Sequence, residues 1–138
     1  MSNGLNVALR KNPAEWSPKN GDRYLDIAFA DDEWGSFFYK TLCAANPEQL
    51  DGELREDFWK RREIEFHNSL SEYLLLRRIN EFYQDAFFSV DEMDQLIEEL
   101  YRAAKLQSDG NSDAFLSGML EACKEAKASN TGIWLASS

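Results

Sequence analysis

A helix-start motif followed by a regular apolar stripe constrains the fold of this chain most strongly. Ser89 and Glu92 stand three residues apart, as in a capping box, where two side chains satisfy exposed backbone N–H groups at a helix start. The apolar residues that follow recur at three- and four-residue spacing: Met93, Leu96, Ile97, Leu100 and Ala104. This spacing predicts a helix with one apolar face, which must pack against another part of the chain.

A second amphipathic helix is predicted near the C-terminus. Asn111 or Ser112 can cap it, and Asn130–Gly132 ends it. Its expected inward residues are Phe115, Leu116, Met119, Leu120, Cys123 and Ala126. The short apolar run Ile133–Ala136 that follows predicts a terminal strand or a docked tail.

The N-terminal part of the chain predicts strands separated by a loop. Residues 5–9 form one candidate strand, and residues 10–23 contain the prolines and glycine typical of a loop. Residues Tyr24 to Phe29 alternate in polarity, which is typical of a half-buried strand. Leu25, Ile27 and Phe29 fall on one face of this strand, and Tyr24, Asp26 and Ala28 fall on the other.

The region between these segments predicts further helices. Asp31 and Asp32 can cap a helix that begins next to Trp34. Asn46–Gln49 resembles another helix start, with Asn at the cap and Pro in the first turn. Residues 62–78 are compatible either with helix, restarting near Ser69, or with a hairpin, and both alternatives remain open.

These segments together predict an α+β fold that is mainly α. We expect a single globular domain over residues 1–138, with about five helices and a small sheet of two or three short strands from the chain ends. A hydrophobic content of 43% is sufficient for one core in a chain of 138 residues. No apolar run approaches the roughly 18 residues of a membrane helix, and no signal-peptide pattern is present. We therefore expect a cytoplasmic protein.

Residues that carry catalysis or bind metals are sparse. His67 is the only histidine, and the two cysteines, Cys43 and Cys123, lie on apolar stretches typical of buried free thiols. Asp109–Asp113 begins like a calcium loop, but the required glycine and glutamate are missing. There is no glycine-rich phosphate loop and no nucleophile elbow. We predict no enzymatic activity, no catalytic residue, no cofactor and no bound metal.

The acidic residues are concentrated in two segments. The chain carries 25 acidic and 15 basic residues, for a net charge of -10. Residues 22–57 contain ten acidic and three basic residues, and residues 81–99 contain seven acidic and no basic ones. A field of this sign repels nucleic acid and anionic membranes and attracts basic proteins. The predicted partner is therefore a basic protein, with no direct contact to nucleic acid or membrane.

Helical geometry indicates which acidic residues are available to that partner. Asp91, Asp94 and Glu98 project away from the apolar stripe, and Glu98 can pair with Arg102 four residues later. In the first acidic segment, three acids crowd a predicted helix start. The six predicted partner-binding residues are Asp31, Asp32, Glu33, Asp91, Asp94 and Glu98. The basic groups Lys60–Arg62 and Arg77–Arg78 are expected to form salt bridges with the acidic segments.

In size, acidity, layout and lack of enzyme motifs, the whole chain resembles the bacterial immunity proteins of contact-dependent growth-inhibition and polymorphic toxin systems. The resemblance implies a stoichiometric inhibitor that binds a cognate toxin domain, with a nuclease as one option. Two alternatives remain open. One is a helical adaptor or regulatory subunit that holds its partner through an apolar patch, and the other is a nucleic-acid mimic that blocks a DNA-binding enzyme.

Overall fold

The chain forms a four-stranded antiparallel sheet with helices packed on one face. The computed structural model describes residues 4–30, 33, 48–80, 85–105 and 114–137. Its strands and α-helices are β1 (Gly4–Arg10), β2 (Arg23–Ala30), α1 (Arg55–Leu70), β3 (Ala86–Phe88), α2 (Met93–Ala104), α3 (Ala114–Ser129) and β4 (Gly132–Ser137). Short 3₁₀ helices lie at Pro18–Asn20, Leu76–Asn80 and Val90–Glu92.

The first and last strands of the chain meet in the centre of the sheet, whose strand order is β2–β1–β4–β3. β1 pairs with β4 along its length, from Leu5 opposite Ser137 to Arg10 opposite Gly132. A side chain at Gly132 would overlap the carbonyl oxygen of Phe88, so glycine is required for β3 to pair closely with β4. The short strand β3 therefore extends the sheet beyond the chain ends.

The core lies between the sheet and α3, and α2 packs against α3. Phe29 of β2 and Phe115 of α3 have ring centroids 4.8 Å apart. Gly118 permits this approach, because a side chain there would meet the Phe29 ring. The largest fully buried side chains are Phe88, Phe115, Leu5, Leu9, Leu76, Ile79, Leu96, Leu100 and Met119. The opposite face of the sheet, here called the outer face, carries Arg10, Tyr24 and Trp134.

The sequence correctly predicted the positions of α2, α3 and three of the four strands. The capping box at Ser89–Glu92 is confirmed, and α2 begins directly after it. The predicted strands at residues 5–9 and 24–29 correspond to β1 and β2, and the C-terminal apolar run is β4. α3 ends where expected, with Asn130 in the left-handed conformation at φ +56°. The two helices carry a cap or stop motif and an apolar period, and β2 carries an alternating period, whereas β1 and β4 were predicted from short apolar runs alone.

The prediction of about five helices with a small sheet of two or three short strands is wrong. The described part of the chain contains three α-helices and four strands. The additional strand, β3, was missed because the three residues Ala86–Phe88 are too few to establish a period. The helix predicted after Asp31 and Asp32 lies outside the described residues, except for Glu33.

Two further predictions concern the middle of the chain. The described part of the segment predicted to be helical from Asn46–Gln49 is not helical before Arg55. Gly52 instead has φ +79° in a turn, in which the Glu53 N–H donates to the Leu50 carbonyl. α1 then continues to Leu70, so residues 62–78 contain no hairpin and are helix, turn and 3₁₀ helix.

α1 contributes no described side chain to the core. Trp59 and Ile64 on this helix are exposed, and Arg61 forms ion pairs with Glu53 and Glu65. The Arg61–Glu53 and Arg78–Glu92 pairs confirm the predicted bridges to the acidic segments for these two arginines, whereas Glu65 lies outside those segments. No helix in the described ranges combines the length and apolar character needed to cross a membrane.

Candidate partner-binding surface

The start of α2 is held by a network around Glu92. Its carboxylate accepts hydrogen bonds from the Ser89 N–H at 3.0 Å and from both terminal nitrogens of Arg78, at 2.8 and 2.6 Å. Arg78 also donates to the Phe87 carbonyl at 3.1 Å, which ties β3 to the same network. The Arg78 guanidinium lowers the pKa of Glu92 to about 2. The network fixes the direction in which α2 leaves the sheet.

The inward side of α2 is held by a second carboxylate. Glu99 is fully buried and accepts hydrogen bonds from the backbone N–H groups of Leu75 and Leu76. The Gln95 side chain donates to its other oxygen at 3.1 Å. Because Glu99 faces the interior together with Leu96 and Leu100, the opposite side of α2 faces solvent.

The acids predicted around α2 are exposed to solvent. Asp94 and Glu98 lie on the solvent side of α2, and Asp91 lies in the 3₁₀ helix Val90–Glu92 before it. Asp94 forms an ion pair of 2.6 Å with Lys127 of α3, and Glu98 pairs with Arg102 at 3.0 Å as predicted. Among the described residues, Asp91 has no ion pair. Exposed pairs of this kind contribute only about 0–1 kcal/mol each, so a partner's basic side chains can replace them.

A groove runs between α2 and α3 beside these acids, with a volume of about 590 Å³. We call it the α2–α3 groove; it is lined by Ile97, Tyr101, Ser117, Leu120, Glu121, Lys124 and Lys127. Ile97 and Leu120 are partly buried and supply apolar surface, and Tyr101 is 57% exposed. Because Lys127 also lines the groove, its ion pair with Asp94 joins the two walls.

The remaining acids of residues 81–99 have structural roles where they are described. The Asp85 carboxylate accepts from the Trp134 indole N–H and from the Ser137 backbone N–H. Glu92 and Glu99 hold the start and the inner face of α2, as described above. The high acidity of this segment is therefore shared between the interior, ion pairs within the chain and the exposed residue Asp91.

The acids predicted in the first segment are only partly described. Asp31 and Asp32 lie outside the described residues. Glu33 follows the end of β2, and its carboxylate accepts a hydrogen bond from the Ala30 N–H at 3.3 Å. Within the described ranges, no hydrogen bond or ion pair connects Glu33 with the acids of α2.

The predicted surface omitted Tyr101 and Lys127. Tyr101 follows Asp94 by seven residues and Glu98 by three, so helical spacing alone places it on the same face as these acids. Lys127 carried no comparable signal, because it belongs to a different helix and meets Asp94 only after α2 and α3 pack together. Ile97 and Leu120 were predicted to face inward and are only partly buried.

The described residues include one free cysteine and no group of potential metal ligands. No three His, Cys, Asp or Glu side chains among them are grouped as a metal site. Cys123 is a free thiol that is fully buried, and burial raises its pKa to about 12. Cys43 and the side chain of His67 lie outside the described part of the chain.

Comparisons with known proteins do not add to this picture. No protein-family model, curated protein or solved structure matches the chain. Function must therefore be inferred from the surfaces themselves.

Proposed function

We propose that this chain is an acidic protein-binding module that neutralises a basic partner, and that the partner docks on the α2–α3 groove. The observation that carries the proposal is that Tyr101 is exposed beside the apolar groove residues and next to the acidic, solvent-exposed side of α2. Tyrosine is enriched among the residues that contribute most binding energy at protein interfaces. Charge on the rim of such a surface mainly raises the association rate.

The proposed partner is a toxin domain of the contact-dependent growth-inhibition or polymorphic class. The chain would bind it stoichiometrically in the cytoplasm, before the toxin acts. This assignment rests on the resemblance to immunity proteins and on the net charge of -10, which favours rapid capture of a basic protein. The proposal includes no catalytic step and no cofactor.

The exposed ion pairs favour this binder over a nucleic-acid mimic. A mimic needs a long, uninterrupted row of carboxylates in place of phosphates. Within the part of the chain described, the basic side chains Lys127 and Arg102 instead lie beside Asp94 and Glu98 and interrupt the acidic surface. A helical adaptor would use the same groove through its apolar residues, and salt dependence distinguishes it from the proposed module.

The test begins with affinity capture from the native host at low salt and elution by a salt step. Association and dissociation rates are then measured with the purified partner. We expect reversal of Asp91, Asp94 and Glu98 to Lys to slow association by about 10- to 100-fold at low salt. At high salt, the association rates of the variant and the parent protein should become equal. Tyr101→Ala should instead raise the dissociation rate by about tenfold or more.

A charge-matched control distinguishes an effect of the acids beside the α2–α3 groove from an effect of the overall net charge. Asp51, Glu56 and Asp57 are exposed near the start of α1, and their reversal to Lys changes the net charge by the same amount. We expect this variant to retain most of the association rate. Equal slowing by both triple variants would argue against the groove. Binding that is insensitive to salt would favour the adaptor.

A further inference from the structure

An aromatic cluster covers the centre of the outer face of the sheet. Ala8 of β1 pairs with Tyr24 of β2 on one side and with Trp134 of β4 on the other. The small side chain of Ala8 lets the two rings approach to 5.8 Å between centroids. Trp16, from the loop after β1, lies 5.2 Å from Tyr24 and 5.8 Å from Trp134. The three rings form one contiguous cluster with interplanar angles of 37° to 60°, called the aromatic platform below.

Arg10 lies against this platform. Its guanidinium carbon is 4.7 Å from the centroid of the Trp134 ring and 5.9 Å from that of Trp16. Its Nε donates to the Asn12 carbonyl at 2.9 Å. Stacking on aromatic rings and one backbone hydrogen bond hold the planar group in a defined orientation.

Arg10 has no carboxylate partner among the described residues. Arg78 and Arg102, in contrast, each pair with a glutamate. An ordered guanidinium whose terminal nitrogens are free of carboxylates presents a donor fork suited to a carboxylate group. In a chain of net charge -10, such a fork is a positively charged site on an acidic protein.

Two carboxylates within the chain keep the site rigid. Asp22, which is buried, accepts hydrogen bonds from the backbone N–H groups of Lys11 and Ser17 and so closes the loop that carries Trp16. Asp85 accepts the indole N–H of Trp134 at 3.1 Å and thereby orients that ring. Preorganisation of this kind reduces the entropy lost on binding.

We propose that Arg10, stacked on Trp16 and Trp134, binds the carboxylate of an Asp or Glu side chain that a protein partner presents to the outer face. Trp16 and Tyr24, which are 37% and 55% exposed, contact the apolar residues that flank that carboxylate. A protein is the expected source because the platform is an open sheet face, whereas small-molecule sites are concave. The net charge disfavours a polyanion such as nucleic acid. This site goes beyond the proposed function and requires no basic partner.

The test uses two peptides that differ only in the charged group, acetyl-Phe-Asp-Phe-amide and acetyl-Phe-Asn-Phe-amide. Each is titrated to millimolar concentration into the whole protein, with NMR detection of the indole N–H signals of Trp16 and Trp134 and the Nε–H of Arg10. We expect the Asp peptide to shift these signals with saturation and to bind at least about tenfold more tightly than the Asn peptide.

Two arginine variants complete the test. Arg10→Gln should remove the preference for the Asp peptide. Arg23→Gln, which removes an exposed arginine of β2 that pairs with Glu125, should retain it. Equal binding of the two peptides, absence of shifts with either peptide, or equal loss in both variants would overturn the proposal. The peptide contrast in the unmodified protein remains decisive even if Arg10→Gln unfolds the chain.

Discussion

The buried carboxylate of Glu99 accepts a hydrogen bond from the backbone N–H of Leu75 at 3.0 Å. The adjacent N–H of Leu76 donates to the same oxygen at 3.1 Å. One side chain of α2 thus satisfies two backbone donors at the start of the 3₁₀ helix Leu76–Asn80. This contact joins segments 23 or more residues apart in sequence.

Replacement of Glu99 by alanine is expected to destabilise the protein by about 2–4 kcal/mol, because it leaves two buried N–H groups without an acceptor. The free energy of unfolding is measured by denaturant titration. Glu98→Ala is the matched control. The Glu98 carboxylate is exposed, so its removal should change the free energy of unfolding very little. Similar losses in both variants would contradict the structural role of Glu99.

The Arg78–Glu92 pair should make stability depend on pH in the acid range. The pKa of Glu92 is about 2 in the folded protein, below its ordinary value of 4.5. The stabilisation is therefore complete above the ordinary value and is lost as the pH falls through 4.5 towards 2. We expect Glu92→Gln to cost about 1–2 kcal/mol at pH 7 after allowance for the partial exposure of Arg78.

Unfolding free energies of Glu92→Gln and the parent protein should therefore converge near pH 2. A difference that stays constant between pH 7 and pH 2 would show that the ion pair does not contribute. Glu98→Gln provides the comparison, because its pair with Arg102 is more exposed and should have little effect at any pH.

Cys123 should resist thiol reagents in the native protein. Its side chain is fully buried and its pKa is about 12, so the thiolate is scarce at neutral pH. In a Cys43→Ser variant, modification by Ellman's reagent should be at least about 10³-fold slower than for a free thiol. Guanidinium chloride should restore rapid reaction. Rapid labelling without denaturant would be inconsistent with the buried position.

Gly132→Ala should disrupt the pairing of β3 with β4, because the added carbon would overlap the Phe88 carbonyl oxygen. We expect a loss of about 3 kcal/mol or more in unfolding free energy. Gly52→Ala is the comparison. Gly52 has φ +79°, and a β-carbon added there would meet no atom within 4 Å, so the substitution causes only backbone strain of about 1 kcal/mol. Equal effects at the two positions would argue against the close approach at Gly132.

The predicted partner-binding residues show which features of the surface follow from sequence patterns and which do not. Helical spacing correctly placed Asp94 and Glu98 on the exposed side of α2 and predicted the Glu98–Arg102 pair. Asp91 is also exposed, but it lies in the 3₁₀ helix before α2. It did not reveal Lys127 beside Asp94, because that contact joins two helices. The number of acidic residues also did not indicate that Glu99 is buried. A carboxylate can lie in the interior when backbone N–H groups donate to it, and those donors come from a distant segment.

The sequence by itself determined the elements that carry their own signals: the capped start of α2, the stripe of α3 and the alternation of β2. These signals act over a few residues, through backbone hydrogen bonds and a regular apolar period. Only the tertiary structure decided that β3 extends the sheet and that Arg10 stacks on Trp134. Such contacts depend on how distant segments pack, and packing brings together residues whose local sequence contains no sign of one another.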